Sequence, residues 1–107
     1  MSTKMDTNGV QTMDYETANT LIKTELEKAT NKFPLWPTDP IHAMAVLGEE
    51  FGELTKDVLQ LTYEPGKTTK ENLRIEAIQT AAMAIRFLMS IDTYMFEEQD
   101  QHEQNFN

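Results

Sequence analysis

Glu49, Glu50 and Glu53 place three carboxylates within five residues of the stretch GEEFGEL, and Glu76 with Gln79 repeats the three-residue interval of Glu50 and Glu53. On a helix that turns ~100° per residue, a Glu-x-x-Glu pair sends both side chains to one side, where two hard oxygen donors suit a Mg²⁺ or Mn²⁺ ion. Without such a counter-charge the crowding is unfavourable. Like charges three or four apart cost roughly 0.2–0.5 kcal/mol each on an exposed helix, and more where water is partly excluded. Two explanations stand: a solvated face neutralised by Lys56, Lys23 or an arginine, or a divalent cation.

The elements that carry these acids follow from spacing and punctuation. Asp39 before Pro40 is a helix start, a capping carboxylate followed by a residue with no amide to satisfy, and Pro65-Gly66 is a stop; a helix is predicted from Pro40 to about Tyr63. Within it Val46, Glu50, Glu53 and Asp57 form one narrow column, while Met44, Leu47, Phe51, Leu54, Val58 and Leu61 cover the adjacent face, so the acids border the core. Thr68 with Glu71 has capping-box spacing and begins a further helix near Thr69 that runs to Met89 or beyond. Its apolar residues occupy more than half the circumference and leave one polar lane, Asn72, Glu76, Gln79, Arg86 and Ser90, which must find partners. The short YEPGKTT turn makes the two helices antiparallel, with Glu53 about as far before the turn as Glu76 is after it.

Upstream, Tyr15, Ala18, Leu21, Ile22, Leu26, Ala29 and Phe33 recur at three- and four-residue intervals, predicting a first helix from about Asp14. The segment FPLWPTDP (33–40) holds three of the chain's four prolines and must be an extended connector. Residues 1–13 are polar, without apolar periodicity, and are expected to be a flexible arm; 14–107 are expected to be one helical domain. The stretch IDTYMFEEQ either extends the last helix or forms a short one, and DQHEQNFN is expected to fray. No strand is predicted. The fold class is therefore all-α, an antiparallel bundle of three main helices plus a short C-terminal segment. Its core is expected to be completed by homodimerisation, because the third helix is apolar on too many sides for one neighbour to cover.

The composition narrows the partners. The 107 residues fit one domain, and 39% hydrophobic with 25% charged residues is ordinary for a globular chain. Eighteen acidic against nine basic residues give a formal charge of -9, with no basic cluster, which disfavours nucleic acid and anionic membranes as partners. With no cysteine, disulfides, thiolate metal sites and a cysteine nucleophile are excluded. Neither a secretory leader nor an apolar run near the ~18 residues of a membrane span is present, so a cytoplasmic protein is expected.

LGEEFGELTKDVLQ followed, after the turn, by RIEAIQTAAMAIRFL resembles the MazG-type all-alpha nucleoside triphosphate pyrophosphohydrolases, over roughly Trp36 to Phe87. The family pattern is an E-x-x-E helix, a short turn and an E-x-x-D helix, and small members are common in bacteria and their phages. The resemblance implies a Mg²⁺-dependent hydrolysis of a (d)NTP to the monophosphate and pyrophosphate, a nucleotide-pool house-cleaning activity, by dimers or tetramers of helical protomers. Carried over, Glu50, Glu53 and Glu76 match metal-ligand positions and Glu49 the extra acid of many members; Glu49 or Glu53 would help deprotonate the attacking water. Gln79 stands where the pattern has Asp: it offers an oxygen ligand but neither charge nor a base. A silent relative that keeps the bundle and binds a nucleotide or a protein partner is the alternative, and a helical assembly module a third.

Four further side chains are candidates for the substrate. Trp36 either stacks on a base, as N-terminal aromatics do in that family, or plugs the helix ends. His42, on the same side as Glu49 and Glu53, either touches substrate or metal or is an exposed first-turn histidine. Arg86 pairs with phosphate or with an acid of a neighbouring protomer. Lys67, with Lys70 and Arg74 near the turn, reaches phosphates or simply faces solvent.

Overall fold

The computed structural model describes residues 3–5 and 11–96. In chain order these form β1 (Thr3–Met5), β2 (Gln11–Met13), α1 (Tyr15–Lys32), α2 (Pro40–Tyr63), α3 (Lys70–Met89) and a single 3-10 turn, Ile91–Thr93.

Each helix begins on an oxygen that satisfies its first amides. Asp14 Oδ1 accepts from Thr17 N at 2.9 Å, and Asp39 Oδ1 from Ile41 N at 2.9 Å, with Pro40 in the first turn as its missing amide allows. α3 is capped by Thr69, whose hydroxyl accepts from Asn72 N at 3.1 Å, one residue later than the Thr68–Glu71 spacing implied. Glu71 turns instead to Arg74, and Thr68 Oγ1 accepts from the Asn72 side chain. Between α2 and α3 the chain reverses at Gly66, whose φ of +90° is accessible to glycine without strain.

α3 is the central rod. It packs against α2, antiparallel to it, and against α1 on another side. Ala43 of α2 and Ala82 of α3 are 0% exposed, yet no large side chain among the described residues is fully buried. Two helices rather than one thus cover α3, while Ile75, Leu88 and Met89 on it stay exposed.

One expectation changes. Thr3–Met5 and Gln11–Met13 pair antiparallel, with Thr3 opposite Met13 and Met5 opposite Gln11, so the N-terminal segment is not a patternless arm. Residues 1–2 and 6–10 of the expected arm, and the DQHEQNFN tail, lie outside the described residues. After α3 the chain takes one of the two expected courses, a short helix rather than an extension of α3, and residues 97–99 of that stretch lie outside the described residues. It makes one 3-10 turn and then lies extended beside the connector, where Met95 N donates to Thr38 O at 3.0 Å.

Candidate functional site

A cavity of about 550 Å³ opens between the C-terminal half of α1, the connector and the middle of α2 and α3. Trp36, Val46 and Met83 supply apolar wall, Glu50 and Gln79 stand on the α2–α3 side, and Lys28 and Lys32 come from α1. A volume of this order, apolar with a few polar groups, is that of a small-molecule site.

The Trp36 wall is held rigidly. Its indole N–H donates to Tyr94 Oη at 2.9 Å, and the Tyr94 hydroxyl donates on to Phe87 O at 3.2 Å, while the Phe87 and Tyr94 rings lie 5.1 Å apart. Arg86 sits over the indole, its guanidinium carbon 4.9 Å from the centroid of Trp36. Trp36 is therefore both plug and cavity wall.

Arg86 also lines this cavity, held there by main chain. It is only 7% exposed, and Nη2 donates to Phe33 O at 2.7 Å, the carbonyl where α1 gives way to the connector. A guanidinium this deep needs acceptors, and the end of α1 provides one from main chain. Its anchor is the backbone of its own protomer.

Around the acids, the Thr80 hydroxyl lies 2.8 Å from Glu76 O and 3.2 Å from Glu50 O, within donating reach of both carbonyls. Thr80 thus sets α3 against α2 so that Glu76, one turn earlier on α3, is level with Glu53 and its neighbour Leu54, the register that the turn implied. Glu50 and Glu76 are part-buried, Asp57 likewise, while Glu49 and Glu53 are exposed. Burial raises the pKa of Glu50, and the charges of Glu76, Glu49, Glu53 and Glu25 raise it further. Burial raises that of Glu76 as well, followed by the charges of Asp57 and Glu53. One oxygen of Glu76, Oε2, is buried with no hydrogen-bond partner.

The neutralising cations proposed for a solvated face are not found there. The ion pairs among the described residues are Lys28–Glu25, Lys67–Glu64 and Arg74–Glu71, each within one turn of chain and none touching Glu49, Glu50, Glu53, Asp57 or Glu76. Nor do three or more His, Asp or Glu side chains among the described residues close into a cage. Mg²⁺ does not require one, since it is usually held by one or two carboxylates together with waters and substrate phosphates. A part-buried acid with an orphaned oxygen, facing a second acid, fits that donor set.

Of the other candidates, Gln79 lines the cavity beside Glu50, its amide in the place of a charge. His42 is exposed in the first turn of α2, and Lys67 pairs with Glu64 at 3.3 Å in the α2–α3 turn; neither lines the cavity. Thr80 and Tyr94 escaped notice. Thr80 was legible, four residues after Glu76 on the same polar lane; Tyr94 was not, because it lies beyond the last periodic element. Compared with known protein families, curated proteins and solved structures, the chain matches none.

Proposed function

We propose that the protein is a Mg²⁺- or Mn²⁺-dependent nucleoside triphosphate pyrophosphohydrolase, converting a (d)NTP to the monophosphate and pyrophosphate as a self-associated helical protomer. The observation that carries this is a cavity with a fixed aromatic wall that reaches Glu50 of α2, whose carboxylate feels the charge of Glu76 on α3 while neither acid is held in an ion pair. The similarity of GEEFGEL and RIEAIQT to the MazG-type pattern supports the same chemistry.

In this function Trp36 and Met83 offer a surface to the base, and Lys28 and Lys32 offer positive charge at the cavity wall. Glu50, Glu53 and Glu76 hold the ion, and Gln79 contributes an oxygen at most. When bound, the ion neutralises the triphosphate oxygens and brings water to the phosphorus. Glu49, or Glu53 where it is not engaged with metal, accepts the proton of that water; both are exposed and open to it. Glu76 acts differently, since burial makes its charge costly and a cation relieves that cost.

Pyrophosphate release from a panel of canonical and modified dNTPs with Mg²⁺ or Mn²⁺ tests this. Glu53→Gln is expected to lower turnover by about 10- to 100-fold, as loss of a metal-site group does, and Gln79→Asp to raise it. Gln79 also favours a second reading, a silent relative that binds a nucleotide without cleaving it. No turnover with any substrate, while nucleotide still quenches the fluorescence of Trp36, selects that reading over hydrolysis.

A further inference from the structure

A second cavity, of about 610 Å³, lies between the last turns of α1, the start of the connector and the end of α3. It shares only Trp36 and Arg86 with the first. α1 turns different sides to the two: Glu25, Lys28, Ala29 and Lys32 to the first, Leu26, Glu27, Thr30 and Asn31 to the second.

Arg86 is the buried cation among the described residues, 7% exposed. It makes one hydrogen bond, to Phe33 O, and no ion pair among those residues. The Phe33 carbonyl and the negative ends of the α1 and α3 dipoles account for a positive charge at this place. They leave its donors unserved. A guanidinium carries five N–H groups, and here Nε and Nη1 have no acceptor, although neither is sealed from water. The chain holds eighteen acidic residues against nine basic ones, yet none of the acids is placed on this guanidinium.

Three neighbours repeat the pattern. The hydroxyls of Thr20, Thr24, Thr55, Thr62 and Thr80 each donate to the carbonyl four residues back in their helices. Thr30, at an interior position of α1, does not. The half-buried Ser90 hydroxyl and the Asn31 amide likewise make no hydrogen bond among the described residues. Four donor side chains thus line one cavity unspent, beside an apolar wall of Leu26, Pro34, Trp36 and Met89. Glu27 is the acid of this wall, and it is exposed, where water and salt screen it.

We propose that this second cavity binds a small phosphomonoester with an apolar body. Its phosphate is held by Arg86, Thr30, Asn31 and Ser90, and its body lies against Leu26 and Met89 beside the indole. A guanidinium pairs with phosphate through two parallel N–H bonds, and the remaining donors suit a group with three terminal oxygens better than a carboxylate with two. The site goes beyond the hydrolase reading and does not rest on it, since none of Glu49, Glu50, Glu53 and Glu76 lines this cavity.

Phenyl phosphate titrated into the full chain without metal tests this, followed by calorimetry and by the emission of Trp36, the only tryptophan. Saturable binding is expected, at least about tenfold tighter than that of benzoate or inorganic phosphate. Thr30→Val and Ser90→Ala each remove one hydroxyl and leave Arg86 in place, and each is expected to weaken binding by about three- to tenfold with helical circular dichroism retained. Lys32→Ala, which alters the first cavity alone, should leave it unchanged. Absence of saturable binding overturns the proposal, as does benzoate binding as tightly as phenyl phosphate. So does weakening by Lys32→Ala with none from Thr30→Val and Ser90→Ala, which would put the phosphate in the first cavity. Binding that follows the expected pattern, with no pyrophosphate released from any dNTP, upholds this site and removes only the hydrolase.

Discussion

A carboxylate held beside other carboxylates and partly out of water is relieved in one of two ways, by a proton or by a cation, and Glu76 shows the need for one of them. Its Oε2 is buried without a partner, and its pKa and that of Glu50 both lie above the ordinary 4.5. A raised folded-state pKa means that the folded chain holds protons the unfolded chain has released. Stability from this source is therefore complete below the ordinary value and is lost as pH rises through the folded one. In chelator, the thermal midpoint is expected to fall from mildly acidic to neutral pH, and Glu76→Gln should flatten that fall and raise the midpoint at neutral pH. Mg²⁺ should stabilise the wild type at neutral pH and the Glu76→Gln variant much less. Parallel melting curves for the two proteins at every pH would show that Glu76 is not the strained acid. The acids themselves were legible in the sequence because spacing alone puts them on one lane. The fate of Arg86 was not: a charge four residues before Ser90 says nothing of the Phe33 carbonyl it meets across 53 positions of chain.

At the scale of elements, legibility followed local chemistry. The bounds of α2 are those expected, because Asp39-Pro40 and Pro65-Gly66 each act through their own backbone limits. The cap of α3 slipped by one because Thr68 and Thr69 are equally suited to it, and only the backbone decides: Thr69 is extended, at φ -134° and ψ 162°, and its hydroxyl reaches Asn72 N. How α1 and the C-terminal strap meet the connector depends on contacts distant in sequence, which periodicity does not encode. That strap is the element with the clearest consequence. Tyr94 accepts from Trp36 and donates to Phe87 O, so one hydroxyl ties the connector to the end of α3. Tyr94→Phe keeps the ring packing but leaves the half-buried indole N–H without its acceptor, at a cost of about 1–3 kcal/mol. Trp36 is the only tryptophan, so its emission reports the change directly. A shifted emission maximum with a lowered denaturation midpoint is expected; an unchanged spectrum would mean that the hydroxyl does not hold the ring.

For the whole molecule the decisive feature is how little of its apolar surface one protomer hides. Ile41, Phe51, Leu59 and Tyr63 on α2 are exposed, as are Leu35 in the connector and Leu88 and Met89 at the end of α3. A chain of 107 residues ordinarily buries about two thirds of its surface on folding, and three rods packed through one central helix, with the faces of two of them open, fall short of the apolar share of that. Sequence periodicity identified an excess of apolar surface but assigned it to α3. The structure leaves exposed apolar side chains on both helices, Ile41, Phe51 and Leu59 on α2 and Ile75, Leu88 and Met89 on α3, although α1 also packs against α3. If that surface is closed by a second copy, folding and association are one reaction, and the midpoint must depend on concentration. A tenfold rise in protein adds about 1.4 kcal/mol per dimer, and an unfolding entropy near 2.1 cal/mol/K per residue over two chains converts that to a rise of about 3 °C. A protomer stable alone shows no such slope. Calorimetry at several concentrations separates the two cases, and Leu59→Glu should abolish the slope while lowering the midpoint, because it removes the cover and leaves the contacts of α3 with α1 and α2 in place.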